Sequence, residues 1–216
     1  MFTSASNFSD NVDAVFLYIT ILSLIVLIGI TIAMVYFVIR YSRKRNPVPT
    51  HVEENLTLEI LWTGIPLVLF ISMFYFGWVG YTDMRAIPAD AMQIKVTAKM
   101  WQWSFEYPNG LKTDTLYVPV SKAVRIELRS TDVTHAFFIP AFRIKKDVYT
   151  NKTNDVWFQS EKIGRYDIAC AEYCGLQHSA MYSAVHIMKQ KDFEQWFTNA
   201  SAKAGLKPLV VAQVKN

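Results

Sequence analysis

A short segment near the C-terminal end carries four side chains that bind soft metal ions. Cys170, Cys174, His178 and Met181 lie within twelve residues, and the two cysteines are the only ones in the chain. Thiolate, imidazole and thioether ligands favour copper over calcium, magnesium or manganese. One cysteine with a histidine and a methionine would indicate a mononuclear copper site. A second cysteine four residues away allows two thiolates to bridge two metal ions.

The same residues allow two other interpretations. Two cysteines four positions apart could form a small-loop disulfide bond on an oxidising side of a membrane. That interpretation makes the neighbouring His178 and Met181 a coincidence. The cysteines could also bind zinc, although zinc sites rarely include methionine.

Two long uncharged segments indicate a membrane protein. Hydrophobic residues make up 52% of the chain, and no Asp, Glu, Lys or Arg occurs in residues 14–39 or 60–82. Each segment exceeds the roughly 20 apolar residues that cross a bilayer core. We therefore predict membrane spans at about 14–41 and 58–82, within a helical hairpin over residues 14–86.

Charges beside the first span predict its orientation. Four bases lie within residues 40–45, whereas Asp10 and Asp13 are the only charged residues before the span. Because Lys and Arg are retained on the cytoplasmic side, the loop 40–59 is predicted to lie inside and both termini outside. We expect an integral protein of a bacterial inner membrane, in preference to a mitochondrial one, with its C-terminal part in the periplasm. Residues 1–13 are expected to form an outer tail, and the first span lacks the basic n-region of a signal peptide and is expected to stay as an anchor.

Beyond residue 87 the sequence changes to short segments rich in Val, Ile, Thr and aromatic residues. Their alternating pattern, with turn signals between them, predicts an antiparallel β-sandwich or barrel over residues 87–204. Residues 192–204 have helical spacing and end at Gly205, so we expect a C-terminal helix followed by a tail over residues 205–216. The predicted strands are 92–98, 99–107, 124–129, 136–139, 155–159, 166–169 and 183–187.

A dinuclear site needs a further ligand, because His178 and Met181 cannot complete two metal centres. His51 is excluded because it lies on the predicted cytoplasmic side. His135 stands at the mouth of a predicted strand, where a sandwich would offer a loop ligand. His186 lies inside an alternating strand and is interpreted as a structural residue.

Four elements of the chain match one known family in the same order. They are residues 59–63 with Pro66, residues 101–107, residues 132–135 and the loop 170–181. In these elements the chain resembles subunit II of the haem-copper cytochrome c oxidases, and the resemblance covers most of the chain. It implies a cupredoxin-like barrel for the domain that follows the hairpin.

The resemblance also implies a dinuclear copper centre, Cu-A. In that centre Cys170 and Cys174 bridge the two coppers, and His135 and His178 each cap one of them. Met181 is a weak ligand of one copper.

Glu172 has two implied roles. Its backbone carbonyl is a weak ligand of the other copper, and its side chain reaches a magnesium or manganese ion at the interface with subunit I. A carboxylate suits such a hard ion, and the alternative is a purely structural side chain. Asp147 is implied to lie near the same ion, through water. Residues 149–152 depart from the Pro-Gly turn that many relatives have at this point, so the loop over this interface is not matched.

Two further residues match functional positions. Trp101 resembles the residue through which electrons enter, but it also shares a predicted strand face with the aromatic residues at 103, 105 and 107, which are assigned to packing. Glu59 matches a carboxylate at the entrance of the K-type proton path of subunit I. The alternative for Glu59 is that it complements the positive end of the second helix.

The implied function is that of the subunit through which electrons enter a terminal oxidase. The chain would accept electrons from a c-type cytochrome, soluble or within a partner respiratory complex, and pass them to haem in subunit I. There, oxygen reduction is coupled to proton pumping, and neither is expected of this chain alone. Subunit III and membrane lipid are further expected partners. No Cys-x-x-Cys-His sequence occurs, so no haem is expected on this chain.

Charge gives no choice between donors. Residues 90–216 contain 17 Lys plus Arg and 12 Asp plus Glu, a difference of +5. A basic cytochrome c would favour an acidic patch, whereas an acidic donor, apolar docking or a stable partner complex would not need one. The whole chain has a formal charge of +4 and no bases interleaved with aromatic residues, so nucleic acid is not an expected partner.

Three alternative functions share some of these features. A copper-delivery module would need open, exchangeable coordination, against which His135 and Met181 argue as additional ligands. A quinol oxidase subunit II shares the hairpin but lacks the copper ligands. Nitrous oxide reductase has a similar copper domain but lacks the hairpin.

Overall fold

The computed structural model describes residues 4–48, 51 and 53–207. The chain divides into two units. One comprises Asn11–Tyr81, and the other comprises the residues up to Asp10 together with the chain from Thr82 onward. The part of the predicted tail that lies at 208–216 is outside the described residues.

The described part of the first unit consists mainly of two long helices. Helix α1 spans Ser9–Arg40 and helix α2 spans Leu56–Arg85, and both are long and apolar enough to cross a membrane. Their apolar side chains point in all directions instead of lining one face, which is the pattern of helices surrounded by lipid or protein. Asn55 caps α2, because its side-chain oxygen accepts a hydrogen bond from the Leu58 amide at 3.1 Å.

A polar contact joins the two helices. The hydroxyls of Tyr18 and Ser72 are 2.6 Å apart, and the Tyr18 ring meets Phe76 edge-on with centroids 5.5 Å apart. Pro66 lies inside α2, as predicted from the sequence. Helix α1 begins five residues earlier than the predicted span, since polar residues outside the apolar segment continue the helix.

The segment before α1 packs against the β-rich part of the chain, in contrast to the outer tail predicted over residues 1–13. The amide of Ala5 donates to the carbonyl of Ala141 at 3.0 Å, and the amide of Asn7 donates to that of Gln159 at 2.9 Å. Phe8 is 6% exposed, and its ring meets Trp157 edge-on at 4.8 Å. Backbone hydrogen bonds and the buried Phe8 ring therefore attach residues 4–10 to the second unit. Residues 1–3 lie outside the described part of the chain.

In the part of the chain that the structure describes, ten strands, hereafter the β domain, follow the hairpin. They form two five-stranded sheets, in the orders β3-β2-β1-β5-β8 and β4-β10-β9-β6-β7. The strands are β1 (Met92–Lys99), β2 (Gln102–Glu106), β3 (Lys112–Thr113), β4 (Leu116–Pro119), β5 (Val124–Ser130), β6 (His135–Ile139), β7 (Ile144–Val148), β8 (Asn154–Phe158), β9 (Gly164–Cys170) and β10 (Tyr182–Met188).

The predicted sandwich is confirmed, but its sheets are mixed and not purely antiparallel. Strand β1 pairs in parallel with β5, and β4 pairs in parallel with β10. The remaining strand pairs are antiparallel. Alternation of apolar residues reports which face of a strand is buried but not the direction of its neighbour, and so it did not predict the parallel pairs.

The core lies between the two sheets. Ile94 and Val96 on β1 and Ile126 and Leu128 on β5 are each at most 1% exposed, as the alternating pattern requires. Strand β6 carries the buried Phe137 from the opposite sheet.

Helix α3 (Gln190–Lys203) closes one end of the sandwich. Its buried Phe197 packs on Tyr107 with centroids 5.6 Å apart. Gly205 ends the helix with a φ of 70°, and the Leu206 amide donates back to the carbonyl of Ser201 at 2.9 Å. Glycine adopts this left-handed conformation without the strain that a Cβ atom would add.

Candidate metal centre

Three neighbouring strands place the predicted copper ligands together. His135 begins β6 and Cys170 ends β9, and these two strands pair with Phe137 opposite Cys170. Strand β9 pairs in turn with β10, which begins directly after Met181. His178 lies in a short 3-10 turn between Cys174 and Met181. Strand pairing therefore brings a distant histidine to a loop that carries the other ligands.

The side-chain donor atoms lie close to one another. Cys170 Sγ is 3.8 Å from Cys174 Sγ and 3.8 Å from His135 Nδ1. Cys174 Sγ is 3.6 Å from His178 Nδ1 and 3.8 Å from Met181 Sδ. Both cysteines are free, and the sulfur separation is almost twice the roughly 2.05 Å of a disulfide bond. The two thiols are therefore available as separate ligands.

The backbone adds one more donor. The carbonyl oxygen of Glu172 is 3.3 Å from Cys170 Sγ, because the chain between the two cysteines turns back toward the sulfurs. The six donors predicted from the resemblance thus lie together, with four of them facing the two thiols.

Most of this cluster is shielded from water. His135 and Met181 are 0% exposed, and Cys170 and Cys174 are also buried. Burial, followed by the hydrogen bond with Cys170, raises the pKa of Cys174 to about 11. The metal-free thiol is therefore protonated near neutral pH, and a metal ion that binds it must displace that proton.

Asp132 has no role in the sequence-based predictions, but it contacts this cluster directly. Its Oδ1 accepts a hydrogen bond from His135 Nε2 at 2.9 Å, and its Oδ2 accepts one from the Met100 amide at 2.6 Å. Burial opposes ionisation of the carboxyl, but the bonds from Met100, His135 and the Val133 amide outweigh it and lower the pKa of Asp132 to about 2. The sequence feature that could have indicated this role is the position of Asp132, an acid three residues before a candidate metal-binding histidine.

The predicted position of Trp101 needs correction. Strand β1 ends at Lys99 and β2 begins at Gln102, so Trp101 lies in the turn between them and not on a strand face with Trp103. Its ring is partly exposed, and its Nε1 donates to the carbonyl of Cys174 at 3.2 Å. Trp103 and the aromatic residues at 105 and 107 are buried, as assigned.

Gly175 allows the Trp101 ring to approach the loop. A Cβ atom built at Gly175 would lie 3.4 Å from the ring, and the φ of 112° is one that other residues rarely adopt. Trp101 therefore joins the protein surface to the backbone of a thiol ligand.

Asp147 and Glu172 lie near one tyrosine. The Tyr149 hydroxyl donates to Asp147 Oδ2 at 3.0 Å. Hydrogen bonding to Asp147 and the charge of that carboxylate raise the pKa of Tyr149, and Glu172 adds a smaller effect of the same sign. The side chain of Glu172 is exposed, and Asp147 is partly buried on β7. The residues that depart from the family pattern thus begin beside the two carboxylates.

The other candidate residues lie apart from the thiols. Within the described chain, the cluster of His, Cys, Asp and Glu that could hold a metal ion is His135, Cys170 and Cys174, whose ligand atoms lie within 4.8 Å of one another. His186 lies on β10 with its ring stacked on Tyr117, at a centroid distance of 5.0 Å. This contact agrees with its interpretation as a structural residue.

The remaining two candidates belong to the helical unit. His51 is an exposed residue of the segment between the helices. Glu59 lies in the first turn of α2 and is exposed. In that position its negative charge complements the positive end of the helix.

Two family models match the chain. The model described as "Cytochrome C oxidase subunit II, transmembrane domain" matches residues 1–77. The one described as "Cytochrome C oxidase subunit II, periplasmic domain" matches residues 110–188. A cytochrome c oxidase subunit 2 from Cereibacter sphaeroides is 27% identical over 223 residues, which cover 85% of this chain and 74% of that protein.

Two solved structures resemble the β domain. The periplasmic domain of subunit II of cytochrome oxidase from Bradyrhizobium japonicum is 32% identical with a TM-score of 0.53, covering 55% of this chain and 99% of that one. A crystal structure of a mixed disulfide between a thioredoxin-like protein and subunit II of cytochrome c oxidase is 31% identical with a TM-score of 0.50, covering 55% of this chain and 96% of that one. The cupredoxin-like fold expected for this domain is thereby confirmed.

Proposed function

Because the chain belongs to the cytochrome c oxidase subunit II family, we propose that it is the subunit through which electrons enter a terminal oxidase. It is an integral membrane protein and a member of an enzyme complex. It accepts electrons from a c-type cytochrome and passes them to haem in subunit I, where oxygen reduction is coupled to proton pumping. The observation that carries this proposal is the convergence of four further donor atoms on two buried thiols.

The residues present suit a dinuclear copper centre. Thiolate, imidazole and thioether donors are the set that copper prefers, and two thiols 3.8 Å apart can each contact two ions. Cys170 and Cys174 would bridge the coppers, with His135 and His178 as caps. Met181 and the carbonyl of the residue at 172 would be the weak ligands. Copper bound in this way supplies one-electron transfer.

The chain itself provides rigidity and exclusion of water. Buried ligands on paired strands change position little, so little reorganisation opposes electron transfer. The burial of His135 and Met181 also argues against a copper-delivery function, which needs open coordination. Trp101 is partly exposed and bonded to the Cys174 carbonyl, and we assign it as the residue that receives electrons from the donor.

The hard-metal and proton roles involve carboxylates outside the thiol cluster. Glu172 would reach a magnesium or manganese ion at the interface with subunit I through its exposed side chain, with Asp147 near that ion through water. A carboxylate at this place suits a hard cation. Glu59, at the start of α2, would stand at the entrance of the proton path in subunit I.

The remaining partners and the location complete the proposal. We assign both termini and the β domain to the periplasmic side of a bacterial inner membrane, because the bases after α1 stay in the cytoplasm. Subunit III and membrane lipid are further partners.

Copper binding requires both cysteines in the reduced form, and a related structure suggests which kind of protein reduces them. Subunit II forms a mixed disulfide with a thioredoxin-like protein in the related structure. In the present chain, two free thiols 3.8 Å apart need only a small movement to form a disulfide bond. A thioredoxin-like reductant would therefore act on Cys170 and Cys174 before copper binds.

Copper stoichiometry and spectroscopy of the purified full-length chain test the proposal. We expect two coppers per chain and electron paramagnetic resonance hyperfine structure from one electron shared between them. Cys174→Ser should abolish the shared-electron spectrum, whereas His186→Asn, a change at a histidine outside the cluster, should preserve it. One copper per chain, or a stable Cys170–Cys174 disulfide in the native complex, would contradict the proposal.

A further inference from the structure

Asp132 accepts hydrogen bonds on both carboxylate oxygens. Oδ1 receives His135 Nε2 at 2.9 Å, the Val133 amide at 2.7 Å and the Ser130 hydroxyl at 3.2 Å. Oδ2 receives the Met100 amide at 2.6 Å. The Asp132 side chain is 19% exposed, so these bonds hold it in one orientation with little competition from water.

The bond to Oδ1 determines which nitrogen of His135 faces the thiols. An ionised carboxylate accepts hydrogen bonds but cannot donate one, so His135 must carry a proton on Nε2 to bond to it. Its Nδ1 is then left with a lone pair, and this is the atom that lies 3.8 Å from Cys170 Sγ. A carboxylate that accepts a hydrogen bond from the other ring nitrogen fixes the orientation of a metal-binding histidine and increases its basicity.

The bond to Oδ2 reaches the turn that carries Trp101. Met100 directly precedes Trp101, and the indole of Trp101 donates to the carbonyl of Cys174. One carboxylate therefore holds a copper ligand with one oxygen and the electron-receiving turn with the other. A closed series of contacts runs through Asp132, the 100–101 turn, Cys174, Cys170 and His135.

We infer that Asp132 is a positioning residue that orients His135 and the Trp101 turn together. This inference rests on the proposed copper centre. Asp132 does not bind the metal and does not carry electrons. It fixes the tautomer of one ligand and the distance from Trp101 to the loop of the two thiols.

The variant Asp132→Asn tests the hydrogen bonds to His135 and to Met100 separately. An amide has the shape of the carboxylate but only one accepting oxygen, and its NH2 group must face one of the two former donors. If the NH2 faces His135, the histidine loses its fixed tautomer. If it faces Met100, the Trp101 turn loses its anchor.

The first measurement needs no metal. Nitrogen NMR of the full-length chain in detergent, with 15N-labelled histidine, should show His135 with its proton on Nε2. In Asp132→Asn we expect either a changed His135 tautomer or faster hydrogen exchange of the Met100 amide. A wild-type His135 that carries its proton on Nδ1 would overturn the inference without any variant, even if Asp132→Asn failed to fold.

The second measurement adds copper. Loss of a carboxylate that is hydrogen-bonded to a metal-binding histidine typically reduces metal affinity about 10- to 100-fold. We expect a decrease of this size in the copper affinity of Asp132→Asn. We also expect a higher midpoint potential, because a less basic His135 stabilises the oxidised state less. The matched control is Asp167→Asn, the same change on the strand that carries Cys170, at a residue paired with Arg165 and exposed.

The outcomes distinguish positioning from simple charge. Equal shifts of potential in Asp132→Asn and Asp167→Asn would overturn the inference, because both variants lose one negative charge. An effect confined to the salt-dependent rate of reduction by cytochrome c would also overturn it and make Asp132 a docking charge. If wild type bound no copper, the proposed function would fail, while the metal-free comparison would still decide the role of Asp132.

Discussion

At the scale of single residues, Trp101 is the side chain that joins the surface to the thiol cluster. It lies in a two-residue turn, and its indole donates to the Cys174 carbonyl across a glycine that leaves room for the ring. Neither its burial nor its neighbours make it part of the sandwich core. Its contacts are those of a residue placed for a function outside the core.

Replacing Trp101 tests that placement. In Trp101→Phe the indole hydrogen bond is lost while the copper ligands stay, so we expect reduction by cytochrome c to slow about tenfold. Copper content should be unchanged. Stopped-flow reduction of the complete oxidase is the measurement, and Trp157→Phe, at a buried tryptophan away from the thiols, is the control. Unchanged reduction rates in Trp101→Phe would refute the assignment.

The ligands themselves could be predicted because four of them are close in sequence. Cys170, Cys174, His178 and Met181 show their chemistry by type and spacing alone. His135 was found because a loop ligand was required, and strand pairing then placed it. Asp132 was missed because its role depends on two contacts, one of them with Met100 more than 30 positions away, that spacing along the chain does not report.

At the scale of elements, the predicted strands and the sandwich correspond to the structure where alternation is long. Strands β3 and β4 have two and four residues, which is too short for a period to emerge. Strand β7 was missed because Lys145, Lys146 and Asp147 interrupt its apolar alternation. The hairpin helices could be predicted because long uncharged segments are recognised from the sequence alone, without information on tertiary contacts.

The segment 4–10 is the element whose packing the sequence patterns did not predict, and its energetic role is testable. Phe8→Ala removes a nearly buried ring that meets Trp157, and truncation of a buried phenylalanine costs about 3 kcal/mol. We expect thermal unfolding of the β domain at a lower temperature, measured by near-ultraviolet circular dichroism.

A matched truncation provides the control for this prediction. Phe16→Ala alters an exposed ring in the adjacent helix α1 and should leave unfolding of the β domain unchanged. Equal stability of Phe8→Ala and wild type would show that the Phe8 ring adds nothing to the stability of the domain.

At the scale of the whole molecule, the chain combines a helical hairpin with the β domain. The two proposed tasks, electron transfer and proton uptake, belong to different units. The thiol cluster belongs to the β domain, and Glu59 belongs to α2. The tasks should therefore be separable by mutation.

Glu59→Ala is the variant that separates them. We expect proton uptake during the reductive phase of the oxidase to slow, because the carboxylate at the entrance of the proton path is removed. The copper spectrum and the reduction rate by cytochrome c should stay as in wild type. Glu54→Ala, a neighbouring acid outside the helix, is the control. Normal turnover and proton uptake in Glu59→Ala would leave helix complementation as the role of this residue.

The packing of residues 4–10 also has a consequence for biosynthesis. Asn7 bonds to Gln159, which is 152 positions later in the chain. At about 5 to 20 residues per second, the ribosome adds Gln159 roughly 8 to 30 seconds after Asn7. Asn7 must therefore wait for this partner until β8 has been made, and a bulky group attached to the segment 4–10 would interfere with a late step of folding.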